Sequence, residues 1–262
     1  MDLQAVVIIC GMAAEVTIVL LLIKGRVTRT FPIFFSYLCW SLFSDLFLYC
    51  IQILSSEEIY SKIYFIQLVL DSAMIFAVLV EVFWSVLRPI RSSLPKHAWI
   101  GIAVLVAVGG LILWPIAGLT APDNLSAAGM NEFKLQQTPA ILRAVFFLSL
   151  AAFSQLLSIG WRDRELQIAT GLGFYSIVSL AVTIMHTHQT VGATYIWLDK
   201  VASFSYLAAL AYWVYAFATQ PAERREFTPQ MESMLLAVAG AARSSRVALT
   251  DSASDKPGKR RN

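Results

Sequence analysis

The chain has 262 residues, of which 58% are hydrophobic and 14% charged, whereas soluble domains carry about 25% charged residues. The deficit is too large for a soluble core of this size and points to lipid. Net charge is +3, but Lys and Arg collect in certain loops and in the tail, a topology signal before it is a nucleic-acid signal.

The first apolar segment, Leu3–Ile23, follows Asp2 and precedes Lys24-Gly25-Arg26. A cleavable signal peptide has the opposite charge order and a small-residue cleavage site, so this segment reads as helix one. Six more follow: Phe31–Ile53, Tyr60–Leu87, Ala98–Leu119, Ala140–Ile159, Leu166–Thr187 and Ala193–Ala218. A spanning helix needs about 20 predominantly apolar residues. Barrel strands would alternate in polarity instead, and here Leu, Ala, Ile and Val run in blocks. Pro32, Pro89, Pro95, Pro139 and Pro221 punctuate the segment ends, as expected of a residue that fits a helix's first turn or stops one beyond its end. Pro115 falls inside the fourth segment, where it kinks or ends the helix.

Loop charge orients these spans. The first loop holds Lys24, Arg26 and Arg29, the third Arg88, Arg91 and Lys96, and the fifth Arg162 and Arg164. The second and fourth carry one lysine each, Lys62 and Lys134, and the sixth has none. The tail is rich in Arg and Lys from Arg224 to Arg261. The positive-inside rule puts the odd loops and the tail in the cytoplasm and the N-terminus outside. The expected fold is therefore an all-α bundle of seven transmembrane helices over residues 1–220, N-out and C-in.

Residues 221–262 form a cytoplasmic tail. Thr228-Pro229 looks like a helix start, and Met231, Leu235, Val238 and Ala242 recur at helical spacing. A short amphipathic helix over 229–243 on the inner membrane surface and a marginal, fraying helix are equally good readings. The basic end from Ser252 to Asn262 reads as disordered. Such a tail is too short for a catalytic output domain. Its expected contact is the membrane surface and not nucleic acid.

A charge in mid-bilayer costs about 2.5–3.5 kcal/mol on insertion scales, so each one asks for a reason. The ionisable residues within the spans are Glu15, Asp45, Asp71, Glu81, Arg143, Asp199 and Lys200, with His186 near an outer end. Polar stripes at steps of three or four mark the inward faces: Tyr37, Ser41, Asp45, Tyr49 and Gln52 on helix two; Tyr64, Gln67 and Asp71 on helix three. Helix six carries Tyr175, Ser179, Thr183 and His186, and helix seven Tyr195, Asp199, Ser203, Tyr206 and Trp213. Helix four, apolar from Trp99 to Gly118, has no stripe and reads as a peripheral linker. That suggests three helices, a linker and three helices, the two triplets being candidate parallel repeats.

Two uses of the polar groups stay open. One is an outward-opening cavity for a small polar or amphipathic ligand, lined by Asp45, Asp71, Arg143, His186, Asp199 and Lys200 with Gln67 and Tyr206. The other is structural glue, such as Asp71 paired with Arg143 or Asp45 with Lys200; interhelical polar contacts average about 0.6 kcal/mol. Glu81 reads as a partner of Arg88 or Arg26, or as reaching the interface. Glu15 is isolated in sequence and reads as a buried neutral acid bonded to a neighbouring helix, with a proton-carrying role second.

Cys10, Cys39 and Cys50 lack C-x-x-C spacing and read as small packing residues. Retinal chemistry is disfavoured, since Lys200, the one lysine of helix seven, sits in its outer third after Ile196 and not Asp. His186-Thr187-His188 lacks helical metal-ligand spacing, and no phosphate loop, nucleophile elbow or kinase signature appears. No catalytic residue, metal or cofactor is expected.

The stretch Val80-Glu81-Val82-Phe83-Trp84-Ser85-Val86-Leu87-Arg88-Pro89, with Phe31-Pro32-Ile33-Phe34-Phe35-Ser36-Tyr37, resembles uncharacterised seven-helix membrane proteins of soil bacteria and, more distantly, seven-helix sensor modules fused to histidine kinases. The resemblance implies an inner-membrane location and a sensory role, and carries over no functional residues. The expectation is a ligand-sensing module acting through a cytoplasmic protein partner on its loops or tail. A small-solute transporter and an accessory subunit of a membrane complex are the alternatives.

Overall fold

The computed structural model describes residues 3–54, 56–88, 97–122, 125–153, 163–187 and 193–219. Among them every regular element is helical: α1 (Leu3–Lys24), α2 (Pro32–Leu54), α3 (Glu57–Val86), α4 (Ala98–Ala117), α5 (Ala127–Phe153), α6 (Arg164–Thr187) and α7 (Ala193–Ala218), with short 3-10 turns at Val27–Arg29 and Gly118–Thr120. All seven are long and apolar enough to cross a membrane, and the chain fits a multi-pass membrane protein. Helices satisfy their own backbone polar groups, which hydrocarbon cannot do for them. The expected tail helix over 229–243, the basic end, and Pro89, Pro95 and Pro221 lie outside the described residues.

Side-chain bonds identify the two ends of the bundle. At one end the Arg164 guanidinium donates to the carbonyls of Ala216 (2.7 Å) and Thr219 (2.9 Å) and covers the Phe217 ring at 5.2 Å. A cation there meets the partial negative charge at the end of α7. Ser85 Oγ donates to Glu165 at 2.7 Å nearby. Glu81 does not turn to Arg88 or Arg26: its two carboxylate oxygens accept the backbone N–H groups of Ile33 and Phe34, each at 2.8 Å. The reason is local. The first turn of α2 has donors without intrahelical acceptors, and α3 brings the carboxylate to them. At the opposite end Gln136 Nε2 donates to Tyr64 at 3.0 Å, and His186 Nε2 lies 3.7 Å from Asp199. These are the arginine-capped end and the His186 end.

The main core fills the arginine-capped half. Ile18, Leu22, Phe31, Phe34, Leu38, Val82, Leu166, Ile168, Leu210, Trp213 and Phe217 are all buried there in one cluster. Phe34 meets Trp213 edge to face at 5.4 Å, a favoured aromatic geometry. A second cluster of Ile75, Leu79, Ile102 and Val106 joins α3 to α4. Among the described residues α4 packs against α3 and α5 alone of the helices, and it exposes Trp99, Ile100, Val104, Leu105, Val108, Leu111 and Ile112 on its outer side. Its stripeless sequence matches that peripheral place.

The fifth helix differs from its sequence reading. It begins at Ala127, not at Ala140, and continues past Pro139. A proline inside a helix leaves the carbonyl four residues earlier without its N–H. Here that carbonyl belongs to Leu135, and Ser72 Oγ from α3 donates to it at 3.1 Å. The extra turns put Gln136 and Gln137 on the helix, within the candidate span Ala127–Ala152, where a boundary at Pro139 leaves them in a loop. Ser72→Ala is expected to cost about 1 kcal/mol in unfolding from mixed micelles. In a Pro139→Ala background Leu135 regains its own N–H partner and the same change becomes nearly neutral. Simple additivity in that double-mutant cycle would show that Ser72 does not stand in for the missing amide.

Candidate functional site

Four helices turn polar faces toward one cavity of about 330 Å³ in the bundle's other half, from mid-helix toward the His186 end. From α2 come Tyr37, Ser41, Ser44 and Asp45, and from α3 Asp71 and Ser72. From α5 come Gln136, Gln137, Pro139, Ala140 and Arg143, and from α6 Tyr175, Ser179 and Thr183. Every set follows helical spacing, so one face of each helix is committed to the cavity. The wall is braced by its own bonds: Gln137 Nε2 donates to Thr183 Oγ1 at 3.2 Å, and Thr183 donates to the Ser179 carbonyl at 2.9 Å.

Asp71 is held from the side. Its Oδ1 accepts the indole N–H of Trp40 at 2.6 Å, and Gln67 stands one turn earlier beside the same carboxyl. Arg143 is placed otherwise. Its Nε is buried with no hydrogen-bond partner, and among the described residues no carboxylate lies within 4.0 Å of its guanidinium. Asp45 likewise makes no hydrogen bond or ion pair with a described residue. The cavity thus holds a cation and a carboxyl that make no hydrogen bond or ion pair with a described residue, with Asp71 in electrostatic reach of both.

A second, smaller hollow of about 50 Å³ lies alongside, between Glu15, Tyr37, Ser41, Arg143, Tyr175, Tyr206 and Trp213. Glu15 is 2% exposed. Its Oε1 accepts from Ser41 Oγ at 3.2 Å and from the Tyr206 hydroxyl, tying α1 to α2 and α7, while Oε2 is buried without a partner. The Tyr206 ring packs edge to face on Tyr175 at 5.5 Å. A third hollow, a largely apolar groove of about 690 Å³, runs between α1, α2 and α7 and is lined by Val7, Ile8, Met12, Leu46 and Tyr49, with Glu15, Asp45 and Tyr206 at its polar patches. Tyr175 lines all three hollows.

Of the residues expected from sequence, Asp45, Asp71 and Arg143 come together in the large cavity. Gln67 supports Asp71 from just behind it, and Tyr206 borders the two neighbouring hollows. His186 and Asp199 sit together at the end of the bundle, with Asp199 61% exposed. Lys200 is exposed and borders none of these three hollows. Neither Asp71–Arg143 nor Asp45–Lys200 approaches to ion-pair distance. The buried Glu15 bonded to neighbouring helices is as expected.

Sequence reasoning missed Trp40, Gln136 and Gln137, and did not connect Glu15 to the site. A signal for the glutamines existed: Gln136, Pro139, Ala140 and Arg143 fall at i, i+3, i+4 and i+7, one helical face. Glu15 had no polar neighbour at helical spacing on α1 to reveal it. No family model, no curated protein and no solved structure matches the chain, so its own geometry is the ground for a functional reading.

Proposed function

We propose that the chain is a ligand-sensing membrane module. Its polar cavity opens outward, and its signal passes to a cytoplasmic protein partner through the odd-numbered loops or the basic tail. The orientation rests on loop charge: the arginine-capped end carries Lys24, Arg26, Arg29, Arg88 and Arg164, which the positive-inside rule assigns to the cytoplasm. The observation that carries the reading is one-sidedness. The large polar cavity reaches toward the His186 end and the small hollow beside it stops at Leu38, Leu210 and Trp213, whereas packed side chains from Phe31, Phe34, Val82, Leu166 and Phe217 fill the arginine-capped end. A receptor needs a blind pocket; a transporter needs a route past that plug. The peripheral α4 supports an arrangement of three helices, a linker and three helices.

Ser179→Cys in a background lacking Cys10, Cys39 and Cys50 puts a thiol on the cavity wall. A charged, membrane-impermeant methanethiosulfonate reagent is expected to label it in right-side-out vesicles and not in inside-out ones. Labelling from both faces would favour the transporter. Protection from both would favour an accessory subunit with a closed, dry bundle.

A further inference from the structure

We infer that the cavity recognises a small zwitterion carrying a carboxylate and an ammonium group. The inference rests on the cavity being a ligand site, and goes beyond that by naming the ligand's chemistry. The Arg143 guanidinium has a buried Nε without a partner and no carboxylate within 4.0 Å among the described residues. Asp71 acts on it electrostatically but accepts from Trp40 and makes no ion pair with it. Asp45 lines the same cavity without a hydrogen bond or ion pair of its own. Leaving the buried Nε of Arg143 unpaired in a medium of low dielectric is costly, and the exposed carboxyl of Asp45 is open to a ligand.

A simple anion answers Arg143 and leaves Asp45 facing a like charge. A simple cation does the reverse. A zwitterion satisfies both groups and adds no net charge to a site inside the membrane. The hydroxyls and the amide that share the cavity wall, on Ser41, Tyr175, Ser179 and Gln137, suit the polar atoms that join the two charges. Asp45 also borders the apolar groove between α1, α2 and α7, which gives an aliphatic side chain next to the ammonium a place to lie. A site that hydrogen-bonds a ligand group rejects analogues that lack it, because its own polar partner is then left unmatched.

The test uses the full-length protein in nanodiscs and matched probes: L-leucine, isocaproate and isoamylamine, then γ-aminobutyrate, butyrate and butylamine. Binding is read directly by calorimetry. In at least one series the zwitterion is expected to bind about tenfold or more tightly than either of its single-charge relatives. Arg143→Gln should abolish that binding. Asp45→Asn should reduce zwitterion binding to the level of the carboxylate, with carboxylate binding kept or improved. Equal binding of zwitterion and carboxylate, or no preference for a zwitterion in either series, overturns the inference whatever the variants do. If Ser179→Cys is at the same time labelled from one face only, the receptor reading stands and only the ligand class falls. Two-faced labelling with a clear zwitterion preference keeps the ligand class and removes the receptor.

Discussion

Glu81→Ala is expected to lower the stability of the bundle by about 3 kcal/mol, the sum of two charge-assisted bonds at the lower end of their usual range. α2 opens at Pro32, which has no N–H, and Phe31 before it has no side chain able to cap. The next two donors, on Ile33 and Phe34, are instead met by the two oxygens of one carboxylate from α3, both at 2.8 Å. A negative charge at that place also opposes the partial positive charge of the helix N-terminus. Removing it leaves two donors of a partly buried helix end unmet, next to Phe31 and Phe34 in the main core. Glu81→Gln keeps a single acceptor oxygen and should cost about half as much. Unfolding in mixed micelles, followed by tryptophan fluorescence, gives both values. A loss in Glu81→Ala below about 1 kcal/mol, the scale of one ordinary neutral bond, would mean that water caps α2 equally well.

That carboxylate also illustrates what a sequence conceals. Glu81 stands near Arg88 in the chain, and proximity in sequence proposed the wrong kind of partner. Its actual partners are backbone groups 47 and 48 positions earlier, which no residue pattern can announce. The helices themselves were legible because twenty-residue apolar blocks admit one structure in hydrocarbon. The polar stripes on α2 and α6 were legible for the same reason: period and burial coincide, and Tyr37, Ser41, Asp45, Tyr175, Ser179 and Thr183 all reached the cavity. On α7 the stripe was only partly informative. Tyr206 and Trp213 border the inner hollow, whereas Asp199 lies at the exposed end, where a helix's face no longer decides what it meets. The start of α5 was lost because Pro139 is a stop signal locally, and Ser72, which lets the helix continue, belongs to another helix. Glu15 marks the limit of the method. Alone on an apolar helix, it could be recognised as buried and bonded, but its place beside Arg143 in one hollow depends on how α1 sits against α7.

The close packing around the site makes the second large prediction. A Cβ added at Gly171 would stand 2.2 Å from Trp213 Nε1, and one at Gly173 would stand 2.3 Å from Phe147 Cβ. Neither neighbour can give way easily. Trp213 donates its indole N–H to the Gln167 carbonyl at 3.1 Å and is locked against Phe34. Phe147 would meet the new methyl with its own Cβ, which moves only if α5 moves. Small residues at such crossings let membrane helices approach closely. Gly171→Ala is therefore expected to cost about 3 kcal/mol, combining overpacking with loss of the Trp213 bond. Gly173→Ala is expected to cost about 2 kcal/mol by forcing α5 and α6 apart. Gly118→Ala is the internal control. Its added methyl would meet only the flexible end of Lys134, and its effect should stay within about 0.5 kcal/mol. Because Gly171 and Trp213 border the Glu15 hollow, Gly171→Ala should also displace the Trp213 ring and shift its fluorescence, whereas Gly173→Ala loosens α5 against α6 on the Arg143 side. Equal stability of the three alanine variants would show that the crossings of α6 with α5 and α7 are looser than these distances require.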